Sequence, residues 1–190
     1  MSALETDRLV LRPLILADAD ALLEVLGDPV AMQYYPAPKD RAQVEAWIRW
    51  ALESYERNGF GLWAVVRKTD GAFLGDCGPM LQPVEGRIIP EIGYHIVRCE
   101  WGNGYATEAA RASLEWVFRE TSRPRVCSIV SPGNAASRRV AEKVHRDLRM
   151  FTWEKTGTEQ CLYWTDRSRL ADAPLAAHPA NRLGTGFPPV

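Results

Sequence analysis

Two stretches of the chain carry residues whose types and spacing suit chemistry. The first is Trp101-Gly102-Asn103-Gly104-Tyr105-Ala106-Thr107-Glu108-Ala109-Ala110, where an extended apolar run stops, two glycines follow at alternate positions and a helical pattern begins. Glycines let a backbone approach a ligand closely. The first turn of a helix also presents N–H groups with no intrahelical partner, at the positive end of the macrodipole. A phosphate or pyrophosphate site is the leading expectation, with a dinucleotide site and a plain strand-to-helix turn as rivals. The second stretch is Glu91-Ile92-Gly93-Tyr94-His95-Ile96-Val97. Strand alternation puts Glu91, Gly93 and His95 on one face and Ile92, Tyr94 and Ile96 on the other. One face therefore offers a carboxylate, a gap over Gly93 with room for a substrate, and an imidazole that titrates near neutrality.

The dinucleotide fingerprint fits poorly. After Gly102-x-Gly104 the third small position is Thr107, where packing of helix on strand wants Gly or Ala. The acidic residue that should end the next strand is also misplaced, since Glu120 precedes the strand beginning near Arg125. No Gly-Lys-Ser/Thr follows the glycines, which excludes a Walker-type loop.

The elements that must position these residues are legible in order. Arg8 to Leu14 alternates as a short strand; Asp18 is expected to cap a helix carrying Leu22, Leu23 and Leu26, which stops at Gly27-Asp28-Pro29. The loop Tyr34-Tyr35-Pro36-Ala37-Pro38 is aromatic and stiff enough to line a pocket. Asp40 and Gln43 form a capping-box pattern ahead of Val44, Trp47, Ile48, Ala51, Leu52 and Tyr55, an amphipathic stripe that assigns Trp47 and Tyr55 to the core. Leu62 to Val66 and Ala72 to Leu74 flank the hairpin signal Asp70-Gly71, and Gly75 to Leu81 continues extended up to a turn at Glu85-Gly86. Beyond the glycine junction Ala106, Ala110, Leu114, Val117 and Phe118 mark a helix, followed by a strand over Arg125 to Val130. Asn134 then caps a helix faced by Ala136, Val140 and Val144, and a closing hairpin covers Leu148 to Glu154 and Gln160 to Thr165. The sum is one α/β (α+β) domain with a mixed sheet over residues 5–169. Residues 170–190, rich in Ala, Pro and Gly and without periodicity, read as a flexible tail.

A chain of 190 residues, 46% hydrophobic and with net charge −1, has the balance of a single ordinary domain and gives no electrostatic reason to expect a nucleic acid or a membrane as partner. Cys77, Cys99, Cys127 and Cys161 are too scattered for metal-ligand spacing, so no metal is expected. The opening Met1 to Asp7 is polar and acidic, and no apolar run approaches the ~18 residues of a membrane span. The expectation is a cytoplasmic protein with reduced thiols.

Taken in order and spacing, several runs resemble one family. Glu91-Ile-Gly-Tyr-His-Ile, Trp101-Gly-Asn-Gly-Tyr-Ala-Thr-Glu-Ala-Ala and Asn134-Ala-Ala-Ser-Arg-Arg-Val-Ala-Glu-Lys143 look like the GNAT N-acetyltransferases, in the ribosomal-protein N-terminal acetyltransferase branch. Arg8-Leu-Val-Leu-Arg-Pro, Tyr34-Tyr35-Pro36, Gly61-Leu-Trp-Ala-Val and Gly75-Asp-Cys-Gly extend the likeness to roughly residues 5 to 165. The resemblance implies a mostly antiparallel central sheet flanked by helices, with acetyl-CoA as acyl donor entering where the Glu91 and Arg125 strands part. It implies that the backbone of Ile96, Val97 and Arg98 pairs with the pantetheine arm. The amides of Gly102, Asn103, Gly104, Tyr105, Ala106 and Thr107 would hold the pyrophosphate, and Asn134 would contact the arm.

The reaction implied is attack of an amine, from a small molecule or a protein N-terminus, on the thioester, and the family is compatible with a homodimer. Such attack needs a proton acceptor, donors for the oxyanion and help for the leaving thiolate. Glu91 is the candidate base, directly or through water, and His95 the second. The tyrosine that many members use as the acid is Ala141 here, which leaves Ser137 as hydrogen-bond donor to sulfur. That gap lends weight to the alternative of a non-catalytic acyl-CoA-binding or sensor module. Two further departures are Cys99, where Gln or Arg is usual, and Val144-His145-Arg146 in place of Leu-Gly-Met, which removes a glycine from the turn before the last hairpin. Gly104→Asp sets charge and bulk against the phosphates and is expected to abolish CoA binding; unchanged affinity by calorimetry would remove the pyrophosphate assignment.

Overall fold

The computed structural model describes residues 4–170; the sequence-predicted tail lies, from 171 onward, outside the described residues. One eight-stranded sheet runs through it in the order β1-β2-β3-β4-β5-β6-β8-β7. The strands are β1 (Leu4–Glu5), β2 (Leu9–Pro13), β3 (Trp63–Arg67), β4 (Phe73–Val84), β5 (Arg87–Ile96), β6 (Arg125–Val130), β7 (Asp147–Trp153) and β8 (Thr158–Asp166). Every neighbouring pair is antiparallel except β5 and β6, which are parallel and share one register position, Glu91 opposite Cys127. The mixed, mostly antiparallel sheet is as expected; the two-residue β1 was not foreseen.

Four helices cover the sheet: α1 (Ala19–Leu26), α2 (Arg41–Asn58), α3 (Tyr105–Glu120) and α4 (Ala135–Val144). Helices α1 and α2 bury Leu22, Leu26, Val44, Ile48 and Ala51 against Leu62, Ala64 and Met80. On the other face α3 sets Ala109, Ala110, Leu114, Val117 and Phe118 against Leu9, Leu11, Val65, Ile92 and Ile96. The two alanines at 0% exposure leave no side-chain layer between α3 and the strands, so the start of α3 sits tight on the sheet.

Helix α2 begins as its sequence dictates, with Asp40 accepting from the Gln43 N–H and the Gln43 side chain returning the bond, and it ends at Gly59 in the left-handed region at φ 75°. Asp18 does not cap α1 with its side chain. A 3-10 turn over Leu16–Asp18 intervenes, and the Asp18 carboxylate instead takes both terminal nitrogens of Arg12 and the Ile15 N–H. The space over Gly93 is also not open: a Cβ there would stand 2.3 Å from Met80 Cε, so Met80 fills the gap expected for a substrate.

The turn that lacks the usual glycine is resolved by His145, whose backbone is extended at φ −103° and ψ 166°, so no positive φ is needed. Its ring is fully buried, 3.0 Å from Ser128 Oγ and 3.3 Å from Thr165 Oγ1. Burial pushes its pKa down to about 3. The unfolded chain takes up a proton near pH 6.5 that the folded chain refuses, so this stability is complete above pH 6.5 and is lost as pH falls toward 3. From pH 7 to pH 5 the loss is about 2 kcal/mol. Urea unfolding at the two pH values should show that difference in the wild type and a much smaller one in His145→Gln.

Candidate active site

A groove of about 400 Å³ opens where β5 and β6 part. Its lining combines the glycine turn and the start of α3 (Gly102, Gly104, Tyr105, Ala106 and Thr107), α4 and its cap (Asn134, Ala135, Ala136, Ser137, Arg139, Val140 and Lys143), and an aromatic group from the loop after α1 and from β5 (Tyr34, Tyr35, Tyr94 and His95). Beyond the Glu91–Cys127 position side chains do the stitching that strand pairing no longer does. Ser128 Oγ donates to the Ile92 carbonyl at 2.8 Å, and Glu91 Oε1 accepts from the Ile129 N–H at 3.2 Å. Tyr94 reaches across to α4, its hydroxyl donating to the Ser137 carbonyl at 2.8 Å.

At the glycine end Gly102 and Gly104 are both left-handed, at φ 85° and 82°, which turns the chain sharply into α3. Unlike α2 and α4, α3 has no side-chain cap, and its first intrahelical bond is Glu108 N–H to the Gly104 carbonyl. The amides of Tyr105, Ala106 and Thr107 therefore stand at the positive helix end beside the groove. Arg139 and Lys143, one helical turn apart on α4, add positive charge to the same wall. Two carboxylates lie nearby and both are paired: Glu100, which lines the groove, with Arg67 at 2.7 Å, and Glu108 with Arg8, whose N–H and Nε it accepts at 2.9 and 2.7 Å together with the Thr6 hydroxyl at 2.6 Å. Arg8 also donates to the Asn103 carbonyl at 3.0 Å, which ties the glycine turn to β2.

Behind His95, Asp76, at 0% exposure, accepts from Trp47 Nε1 at 2.8 Å and lies 2.7 Å from His95 Nδ1. His95 Nε2 is 2.8 Å from the Tyr35 hydroxyl. Asp76 faces His95 across the β4–β5 ladder, and Gly75 makes that approach possible because a Cβ there would stand 1.9 Å from the His95 carbonyl oxygen.

The expected site residues divide. Ile96, Gly102, Gly104, Tyr105, Ala106, Thr107, Asn134 and Ser137 come together around the groove. Val97, Arg98 and Asn103 do not line it: Val97 N–H donates to Leu74, the Val97 and Arg98 carbonyls accept within the Arg98–Glu100 turn, the Arg98 side chain pairs with Asp28, and Asn103 donates to Glu100. The Ile96 carbonyl accepts from Trp101 Nε1 at 2.6 Å. Asn134 Oδ1 caps α4 at Ser137 N–H, which leaves its amide nitrogen for other partners. Glu91 lies behind the groove wall and is 8% exposed; burial raises its carboxylate pKa against the Ile129 amide, Gln82, Lys155 and His95, which lower it. Sequence reasoning missed Asp76, Arg139 and Lys143, and it assigned Trp47 to packing alone. Only the helical spacing of Arg139 and Lys143 carried a signal for them. Among the described residues no group of His, Cys, Asp and Glu side chains could hold a metal, and no helix is long and apolar enough to cross a membrane.

Residues 8–146 match the family described as acetyltransferase (GNAT) domain. The chain is 41% identical over 155 residues to YkkB of Bacillus subtilis (strain 168), covering 80% of this chain and 90% of that protein. It is 33% identical over 144 residues to the N-acetyltransferase p20 of Bacillus licheniformis, covering 72% and 78%. The ribosomal L7/L12 alpha-N-protein acetyltransferase RimL, solved in complex with coenzyme A, has the same fold, with a TM-score of 0.69 at 16% identity over 87% of this chain and 98% of that one.

The Arg8–Glu108 pair makes a separable prediction. Arg8→Ala leaves the Glu108 carboxylate uncompensated at the helix end that faces the groove and is expected to weaken CoA binding about tenfold by calorimetry. Arg8→Ala with Glu108→Gln should recover most of that loss, whereas a structural role for Arg8 alone would leave the double variant as weak as the single.

Proposed function

Because the chain belongs to the GNAT acetyltransferase family, we propose that it moves the acetyl group of acetyl-CoA directly onto a primary amine within a ternary complex. Acetyl-CoA is the acyl donor of this enzyme. The observation that carries the reading is one groove whose lining brings an uncapped helix start and two cations together with Tyr35, Tyr94 and His95, next to strands that pair at a single position. Uncapped amides of Tyr105 to Thr107, with Gly102 and Gly104, suit the pyrophosphate, and Arg139 and Lys143 add charge for the other phosphate oxygens. The arm then follows the gap past Asn134 and Ile96 toward Tyr94 and His95, and the amine enters from the side of Tyr34 and Tyr35. The acceptor is a small amine or a protein N-terminus.

Ser137 is the donor assigned to the departing sulfur. It sits in the first turn of α4 on the groove wall, with its N–H held by Asn134 and its carbonyl by Tyr94. Helix α4 supplies no other acid at that depth, since Ala141 is fully buried against Val130, Cys161 and Tyr163. Two groups are candidates for the proton released by the amine. Glu91, its pKa raised by burial, is reached only through a water because its carboxylate does not line the groove; His95 lines it.

Incubation with acetyl-CoA and a panel of small primary amines and N-terminal peptides is expected to give amine-dependent thiol release. Ser137→Ala should lower kcat about tenfold with little change in CoA affinity. Absence of thiol release with every amine would overturn the reading.

A further inference from the structure

We propose that Tyr35, His95 and Asp76 form a proton relay for the attacking amine, with the Tyr35 hydroxyl facing the substrate and Asp76 and Trp47 as positioning residues. The inference rests on the amine acetyl-transfer reading above and adds Tyr35, Asp76 and Trp47 to His95, which that reading already names. A carboxylate only accepts hydrogen bonds, so Asp76 beside His95 Nδ1 at 2.7 Å fixes the proton on Nδ1 and leaves the Nε2 lone pair toward Tyr35 Oη at 2.8 Å. Asp76 is itself held by Trp47 Nε1 through its other oxygen, so neither carboxylate oxygen is left bare in the interior. The Trp47 ring packs edge-on to the imidazole, with centroids 6.1 Å apart, and stops it from swinging away.

Tyr35 is suited to the outer position. It is 46% exposed at the groove, on the proline-stiffened loop before α2, while the histidine side chain behind it is only 9% exposed. The groups that face the imidazole are Asp76 from β4, Glu91 from β5, which also carries His95, and the Tyr35 phenol from the loop, with Lys39 packed over Trp47 at 5.0 Å. The Tyr35 ring is the exposed part; the hydroxyl is sunk beside His95, where burial and the carboxylates of Glu91 and Asp76 push the Tyr35 pKa upward, so the hydroxyl keeps its proton and donates to Nε2 in the resting enzyme.

In the step itself the amine nitrogen forms a bond to the thioester carbon and the carbon–sulfur bond breaks. The proton leaving nitrogen goes to the Tyr35 oxygen, while the proton already on that oxygen goes to His95 Nε2. The products are the amide, the CoA thiolate and an imidazolium paired with Asp76, which then loses its proton to solvent. The tyrosine ends unchanged, and no co-reactant is required.

The test uses the full chain, acetyl-CoA and the best amine of the panel. It measures kcat/KM from pH 5 to 9 for the wild type, Tyr35→Phe, His95→Gln, Asp76→Asn and Glu91→Gln, with CoA affinity taken alongside as the check on folding. Loss of a hundredfold or more in His95→Gln and Tyr35→Phe, with disappearance of the acidic limb and CoA affinity within about twofold, is the expected result. An acidic limb that persists in His95→Gln, or vanishes in Glu91→Gln instead, overturns the relay, as does wild-type turnover in Tyr35→Phe. Nitrogen-detected spectra of the histidine-labelled chain give a readout apart from turnover: the Nδ1–H tautomer is expected for His95 and should be lost in Asp76→Asn. The Nε2–H tautomer overturns the relay. No turnover by any variant, wild type included, overturns the amine reading and the relay's substrate together; turnover with an unaltered limb in His95→Gln overturns the relay alone.

Discussion

Everything at the groove depends on one interruption in hydrogen bonding: β5 and β6 are parallel neighbours that pair at Glu91 and Cys127 and then separate. Backbone N–H and C=O groups in a sheet interior need partners, so a sheet that opens must satisfy them in some other way. Ser128 takes the Ile92 carbonyl, Glu91 takes the Ile129 N–H, and Tyr94 crosses to the Ser137 carbonyl. His145, neutral and buried, in turn holds Ser128. The opening is thus framed by side-chain bonds that satisfy the groups freed where the two strands part. A fully laddered sheet would be more uniformly bonded and would hold no ligand there.

The two ends of the groove are built by different physics. The glycine side is a matter of backbone: left-handed glycines, an uncapped helix start and two cations, with the carboxylate of Glu108 offset by Arg8. Its attraction for an anion is electrostatic and depends on backbone amides, so it does not call on the side chain of Cys99, exposed in the turn before it. The acceptor end is a matter of side chains. A buried carboxylate, an imidazole, an indole and a phenol hold one another in a fixed order, and each bond removes a cost that burial would otherwise impose.

That difference explains what could be read from the chain. The glycine junction, the Asp40–Gln43 box and the alternation of Glu91 to Ile96 are local, so their geometry follows from spacing alone. The mixed sheet and its helix order were legible for the same reason, and the family resemblance supplied the place where the strands part. The relay was not legible, because Asp76 lies 19 positions from His95, Trp47 lies 29 from Asp76, and Tyr35 lies 60 from His95. Trp47 also fits an apolar stripe, and periodicity cannot report that the indole N–H at the edge of that stripe has a buried partner. Glu91 was legible by its face but not by its partner. Its face was read correctly, yet a carboxylate beside a strand gap is drawn to the nearest orphaned amide, and Ile129 provided one.

Among the aromatic side chains around the gap, Tyr94, Trp101 and Trp47 hold the frame and Tyr35 stands apart from them. Tyr94 donates its hydroxyl to a backbone carbonyl and so closes the frame; Trp101 donates to the Ile96 carbonyl and steadies the approach to the glycine turn. Trp47 is committed to Asp76. Tyr35 differs because its partner is a titratable nitrogen: a bond from O–H to a carbonyl cannot pass its proton on, whereas a bond from O–H to an imidazole lone pair can, since the acceptor becomes a stable cation when an anionic Asp76 stands behind it. Of the hydroxyl groups lining the acceptor end, the Tyr35 hydroxyl is therefore the one whose hydrogen bond is also a path for a proton, and the loop that carries it is the part of the fold in which substrate choice and proton transfer are joined.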